Sequence, residues 1–265
     1  MGDFLVNLAF SALAVVVLMG VVFGVSVKRD RHDLIDTAWG LGFALIAIVS
    51  LALATDPEVL PALLTVIWGA RLAGYIAIRN SAKPEDPRYA AIRRRAKGNP
   101  NLHLLKVVYL TQGLIMLFVS LPVQAAQYLP APPVWLAVVA TVVWAVGMVF
   151  ETVGDWQLSR FKADPANQGK LMTTGLWRYT RHPNYFGDAA VWTGLYLLAL
   201  GGWAGAATVL SPIAMIWLLA GGSGKPLTEK HMRKTRPEYA DYVARTSGFF
   251  PLPPKRETAG GRSPA

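Results

Sequence analysis

The run Phe4–Val27 carries no charged side chain. In a bilayer such a run satisfies its backbone N–H and C=O groups only as a helix, and about 20 apolar residues are enough to cross the hydrocarbon core. Leu104–Phe150 repeats the feature at greater length, with Lys106 as its one charge. The rest of the composition agrees: 53% of residues are hydrophobic and only 16% charged, where a soluble domain carries nearer a quarter. An all-α, polytopic membrane protein is the predicted fold class. Met1–Val27 reads as a first transmembrane helix and not as a secretory signal, because it lacks a basic start, its apolar run is too long, and further spans follow. The chain has no cysteine, which excludes disulfides, a thiol nucleophile and cysteine-bound metals.

About seven spans are predicted, near 4–27, 37–54, 58–79, 104–127, 133–155, 186–201 and 204–221. Short linkers with turn chemistry (Thr55-Asp56-Pro57, Pro130-Ala131-Pro132-Pro133, Gly201-Gly202) separate three of the pairs. Of the 26 lysines and arginines, all but Arg71 fall in or beside the other three linkers or after the last span. The positive-inside rule then places the N-terminus outside and the C-terminus in the cytoplasm. The same sorting accounts for the net charge of +10. Membrane lipids, and not nucleic acid, are the expected partners of the basic residues. Arg93-Arg94-Arg95 fits this topological role, with a phosphate-bearing cofactor as its alternative, and a short surface helix is expected around Arg88–Lys97. One integral membrane domain is expected over residues 1–256, with a disordered, Gly-, Ser- and Pro-rich tail at 257–265.

Ionisable groups inside the apolar spans are costly, about 2.5–3.5 kcal/mol each at the centre of a helix, and so mark function by default. Here they are Asp36, Arg71, Glu151, Asp155 and Asp188, with Gln112 as a neutral companion, and all are expected at the inner ends of their helices. Such depth suits a pocket open to cytosol at its polar end and to lipid at its apolar end. Each also has a bland explanation: Asp36 as a helix cap, Arg71 as a snorkelling or structurally paired cation, Glu151 and Asp155 as interfacial acids.

The most specific segment is Gly175-Leu176-Trp177-Arg178-Tyr179-Thr180-Arg181-His182-Pro183-Asn184-Tyr185-Phe186-Gly187-Asp188. Pro183 suits the first turn of a helix, whose free N–H groups favour an anion. Arg178 and Arg181 can present fork-shaped donors. Asn184 and Asp188 share a helix face and can hold ribose hydroxyls or an amide. Trp177, Tyr179 and Tyr185 can stack on a planar ring. His182 fits a hydrogen-bond or phosphate contact better than a metal site, since the chain lacks a His pair at i, i+4. No Gly-x-Gly-x-x-Gly or Walker loop occurs.

This segment, the preceding Asp155-Trp156-Gln157-Leu158-Ser159-Arg160-Phe161-Lys162 and the later Glu229, Pro237-Glu238-Tyr239, Tyr242 and Phe249-Phe250-Pro251 resemble the steroid 5-alpha-reductase superfamily. Within it the chain is most similar to the bacterial branch of proteins with a steroid 5-alpha-reductase-like C-terminal domain. Asp33-Leu34-Ile35-Asp36-Thr37-Ala38-Trp39-Gly40 and Trp68-Gly69-Ala70-Arg71-Leu72 resemble the same branch. The resemblance implies a bacterial inner-membrane enzyme with its site facing the cytoplasm. It implies reduction of an activated carbon–carbon double bond in a steroid-like or isoprenoid lipid with NADPH, and a cofactor-binding half at about 150–251. The implied cofactor contacts are Asp155, Arg181, His182, Asn184 and Asp188, with Glu229, His231 and Tyr239 from the tail and Arg160 or Lys162 facing phosphates. Arg178 and Tyr185 join them from the reading of the segment itself. The steroid reductases carry a Gln-Glu dipeptide in helix two that is missing here, and Asp36 and Tyr75 are the nearest substitutes by position. Tyr75 is then the expected donor to the substrate oxygen, with Asp36 and Arg71 orienting or polarising it. Isoprenylcysteine methyltransferases share a similar Arg-His-Pro-x-Tyr segment and use S-adenosylmethionine, which makes them the second reading. A non-catalytic lipid-binding membrane protein is the third.

Overall fold

The computed structural model describes residues 2–81, 83–222 and 224–255. The tail expected from residue 257 lies outside the described residues. Among those residues the chain is helical and forms no strand; one parallel bridge joins Thr180 to Ser247. Helix α1 (Gly2–Arg29) shows what solvent it is built for. It buries Asn7, Ser11 and Ser26 completely and turns outward Leu13 (58% exposed), Val16 (64%) and Val21 (59%). That pattern is inverted relative to a soluble helix and is the one lipid selects. Six stretches have the length and apolarity to cross a membrane: Gly2–Arg29, Leu34–Leu53, Val59–Ser81, Pro100–Val119, Val134–Ala163 and Trp203–Thr235. The chain is an all-α polytopic membrane protein.

Most spans match their expected ranges. Helices α2 (Leu34–Leu53), α3 (Val59–Ser81) and α8 (Val134–Ala163) are continuous. The expected surface helix is α4 (Pro87–Arg94), capped by the Asp86 carboxylate, which accepts from the Arg88 N–H at 2.9 Å. The span expected at 104–127 differs. It starts earlier as α5 (Pro100–Leu104), because Asn99 caps it and Pro100 fits the first turn. It then passes through a π-helical turn (Leu105–Leu110) into α6 (Thr111–Val119). Pro122 cannot continue the ladder, so α6 stops and α7 (Leu121–Ala126) begins afresh. The span expected at 186–201 forms α9 (Pro183–Leu198), whose 16 residues extend about 24 Å at 1.5 Å each. The last span divides into α10 (Trp203–Ala206), a 3-10 turn and α11 (Leu210–Ala220). Two further helices follow, α12 (Lys225–Thr235) and α13 (Tyr239–Arg245).

The chain divides into two compact units. The first comprises Met1–Ala140 and Leu195–Ser211. In it α2 and α3 cross at Gly40 and Gly69, where a Cβ on either residue would collide with the backbone of the other helix. Contact this close without side chains is how apolar helices gain packing in lipid. Phe43 stacks edge-on against Trp68 beside the crossing, ring centroids 5.5 Å apart. Asn7 donates to buried Gln124 at 3.1 Å and so ties α1 to α7.

The second unit comprises Thr141–Gly194 and Pro212–Ala265. Here α8 and α9 meet at Gly147 and Gly187, where a Cβ would lie 2.5 Å from backbone of the facing helix. Phe150 and Phe186 close the crossing with ring centroids 4.9 Å apart.

Candidate functional site

In the second unit the Gly147–Gly187 crossing lets the C-terminal part of α8 lie directly against the start of α9. Pro183 opens α9 against Gly154. Asn184, one residue on, donates from Nδ2 to the Asp155 carboxylate at 3.3 Å, and its Oδ1 accepts from the Tyr185 N–H at 3.1 Å. Asp155, Asp188 and Glu151 are all buried. The loop before α9 is pinned to α8 as well: Trp177 Nε1 donates to the Gly154 carbonyl and the Leu176 N–H to Gln157 Oε1. The segment that the sequence singled out is therefore a turn held to α8 at Leu176 and Trp177.

Arg181 is the hub of this turn. Its Nε donates to Glu229 Oε1 at 3.0 Å and its Nη1 to the Thr246 carbonyl at 2.5 Å. Around it the chain after α13 docks by backbone contacts: Arg181 N–H to the Ser247 carbonyl at 2.9 Å, Thr180 Oγ1 to the Phe249 carbonyl at 2.8 Å, and Leu252 N–H to the Tyr179 carbonyl at 3.0 Å. Tyr242 completes the dock by donating to the Trp177 carbonyl. Glu229 also faces His182 Nε2 at 3.3 Å. His182 stacks flat on Tyr185, centroids 5.1 Å apart, and the Tyr185 hydroxyl lies 3.4 Å from Thr228 Oγ1. Burial pushes the His182 imidazole down to about 4 in spite of Glu229, so it is neutral at pH 7. Burial, and then Glu229, push the Tyr239 phenol up.

The structure thus gathers Asp155, Arg181, His182, Asn184, Tyr185, Glu229 and Tyr239 around the start of α9. Arg160, Lys162, Arg178 and His231 lie on the exposed surface of the same unit. Arg160 rests on the Trp156 ring, 5.4 Å from its centroid. Among the described residues no group of three or more His, Asp and Glu side chains is placed to hold a metal ion.

In the first unit Arg71, Tyr75 and Arg79 form one stripe on α3. The two guanidinium carbons lie 5.5 and 5.7 Å from the Tyr75 ring centroid, one on either side along the helix. Asp36 is bound to a different pair: it accepts from the Tyr89 hydroxyl at 2.6 Å and from Arg88 at 3.1 Å. Burial, and then the Asp36 charge, push the Tyr89 phenol far up, which keeps its proton on that bond. Asp36 consequently anchors α4 to α2. A second anchor lies beside it. The His32 N–H donates to Glu85 at 2.7 Å, Glu85 pairs with Arg93, and His32 Nδ1 lies 3.0 Å from the Tyr109 hydroxyl on the π-helical turn. Arg79, Arg88, Tyr89, Glu85, His32 and Tyr109 escaped the sequence reading. Arg79 had a signal, since it continues the i, i+4 spacing of Arg71 and Tyr75; the partners of Asp36 are 52 and 53 residues away and had none.

Comparison with known proteins gives partial likenesses. Over 61 residues, 23% of this chain, it is 41% identical to a "Probable O-methyltransferase ustE" of Ustilaginoidea virens. Over 99 residues, 35% of the chain, it is 30% identical to "Uncharacterized protein C594.04c" of Schizosaccharomyces pombe. The chain spans 21% and 27% of the lengths of these two relatives. No solved structure matches it. The family model described as "Protein of unknown function (DUF1295)" matches residues 22–246, which is most of the chain, and the chain belongs to that family.

Proposed function

We propose that this protein is a membrane-embedded reductase that uses NADPH to saturate an activated carbon–carbon double bond in a steroid-like or isoprenoid lipid. One observation carries the reading: Tyr75 sits between the guanidiniums of Arg71 and Arg79 on a lipid-embedded helix. Reduction of an enone adds a hydride to the β-carbon, moves the electron pair onto the carbonyl oxygen and requires a proton at the α-carbon. The oxygen therefore becomes anionic before the proton arrives. A phenol donor whose ring lies between two guanidiniums, 5.5 and 5.7 Å from its centroid, suits that oxygen, since positive charge nearby favours a developing anion in a medium of low dielectric. Asp36 acts in this reading as a positioning residue, through Arg88 and Tyr89.

The donor set of the second unit fits NADPH. Asp155 and Asn184 suit ribose hydroxyls and an amide, and the exposed Arg160, Lys162 and Arg178 suit phosphates. Arg181, His182 and Glu229 hold the turn that carries Asn184 and Tyr185. When bound, NADPH would supply the hydride.

The likeness to the probable O-methyltransferase of Ustilaginoidea virens favours a second reading, transfer of a methyl group from S-adenosylmethionine. Ligand-dependent stability in mild detergent decides between them. NADPH is expected to raise the melting temperature in proportion to the logarithm of its concentration above Kd, and Asn184→Ala to weaken that rise. Stabilisation by S-adenosylmethionine with no response to NADPH would transfer the site to methyl transfer. Stabilisation by neither would leave a lipid-binding protein without this chemistry.

A further inference from the structure

A groove of about 490 Å³ opens in the first unit at the inner ends of α1, α2 and α3. Its walls divide by polarity. Val21 and Val25 of α1, Leu41 of α2 and Ala77 of α3 line one part, and Arg29, Arg31, Asp33 and Asn80 line the other. The polar part is not uniformly available. Arg31 donates to Asp33 at 2.7 Å and to the Asn80 carbonyl at 2.5 Å, so this ion pair is neutral and fixed in the groove floor. Arg29 is different. It ends α1, is exposed, and pairs with no acid among the described residues. Its neighbour Asp30 is engaged by Arg93. The groove therefore has an apolar trough and one uncompensated guanidinium at its mouth. Its volume suits a small-molecule ligand. It is separate from the Arg71–Tyr75–Arg79 stripe, and no residue of that stripe lines it.

From this division we infer that the α1–α2–α3 groove is a binding site for an anionic phospholipid of the inner leaflet, its phosphate on Arg29 and one acyl chain along Val21, Val25 and Leu41. The amphiphile matches both halves. A free anion would leave the trough bare, and a zwitterionic headgroup would bring its own ammonium beside Arg29 and offset much of the attraction of its phosphate. A guanidinium grips a phosphate with two parallel donors, which turns the general attraction of the leaflet for cations into a defined site. The inference does not depend on the reductase reading.

The test uses the full chain in mild detergent, with melting temperature read against added phosphatidylglycerol, phosphatidylcholine of the same acyl chains, or inorganic phosphate. Phosphatidylglycerol is expected to stabilise in a saturable way, phosphatidylcholine several-fold less well at equal concentration, and inorganic phosphate not at all. Arg29→Gln should lower the affinity for phosphatidylglycerol about tenfold and bring the two lipids level. Lys28→Gln removes the adjacent cation, which does not line the groove, and should leave the preference intact. Ala77→Phe fills the trough from an exposed position and should weaken both lipids without lowering the lipid-free melting temperature. Equal losses in Arg29→Gln and Lys28→Gln would mean diffuse attraction and overturn the site. Stabilisation by inorganic phosphate as strong as by phosphatidylglycerol, or no preference between the lipids in the native protein, would overturn it as well.

Discussion

Tyr75 is the side chain at which chemistry can be separated from binding. Tyr75→Phe removes one hydroxyl, keeps the ring between Arg71 and Arg79, and leaves α3 packed. With an enone substrate in hand, turnover should fall about 10²–10³-fold, the usual effect of losing one donor to a developing oxyanion. NADPH affinity should hold within experimental error. Near-native turnover would remove Tyr75 from the reaction and direct attention to Arg71 and Arg79 alone. The spacing of Arg71 and Tyr75 was visible in the sequence because one helical turn brings i and i+4 together. The environment of Asp36 was not, because its partners come from a linker whose docking depends on tertiary contacts. An acid near a helix start looks the same on paper as a cap, a catalyst or an anchor, and only the Tyr89 hydroxyl at 2.6 Å distinguishes the last.

Among the elements, α12 owes its place to Glu229, which faces Arg181 and His182 at 3.0 and 3.3 Å. This makes the docking sensitive to acid in a direction that can be worked out. His182 is held neutral in the folded chain by burial, its pKa pushed down to about 4 from 6.5. Between those values the unfolded chain binds more protons than the folded one. Stability from this group is therefore complete above about pH 6.5 and lost as pH falls towards 4, by up to about 3 kcal/mol over the window. The melting temperature of the native protein should fall more steeply across that range than that of His182→Asn. Parallel slopes would show that His182 does not govern the acid limb. The long apolar helices were well anticipated by uncharged runs and by Pro and Gly punctuation. The exceptions have local causes. The π-helical turn at Leu105–Leu110 adjusts the ladder and sets Tyr109 against His32, and no propensity announces that. The docking of residues 246–252 onto Tyr179–Arg181 joins positions dozens of residues apart, with main-chain groups of the later segment as the partners throughout, which side-chain pattern does not encode.

For the molecule as a whole, α9 decides the topology. Its 16 residues fall short of a hydrocarbon core of about 30 Å, so crossing requires a thinned bilayer or added turns at its end. If α9 crosses, Lys225, Lys230, Arg233, Lys234 and Arg236 are cytoplasmic, as the positive-inside rule demands. If it turned back, the same five cations would face outward. A reporter inserted at Pro132 should read external and one fused after Lys255 cytoplasmic. The same side for both would mean that α9 does not cross. The broad architecture was open to sequence reading because lipid imposes few solutions: helices of a given length with apolar side chains turned outward. The division into two compact units was hidden, since α8, α9 and α11 each carry residues of both, and no linker marks the boundary.

The clasp around Arg181 has a consequence for biosynthesis. Thr180 waits for a carbonyl translated 69 residues later, that of Phe249. At ribosomal speeds of about 5–20 residues per second that is an interval of roughly 3–14 s. During it α8 is already made and α9 is completed, while Arg181, His182 and the Tyr179 carbonyl lack their mates. A nascent chain passing through this interval carries an open, cationic loop beside the membrane, exposed to proteases and to chaperones that recognise unfinished surfaces. The α8–α9 contacts, Asn184 to Asp155 among them, can form early, and the clasp around Arg181 closes over them only once α12, α13 and Phe249 have been translated.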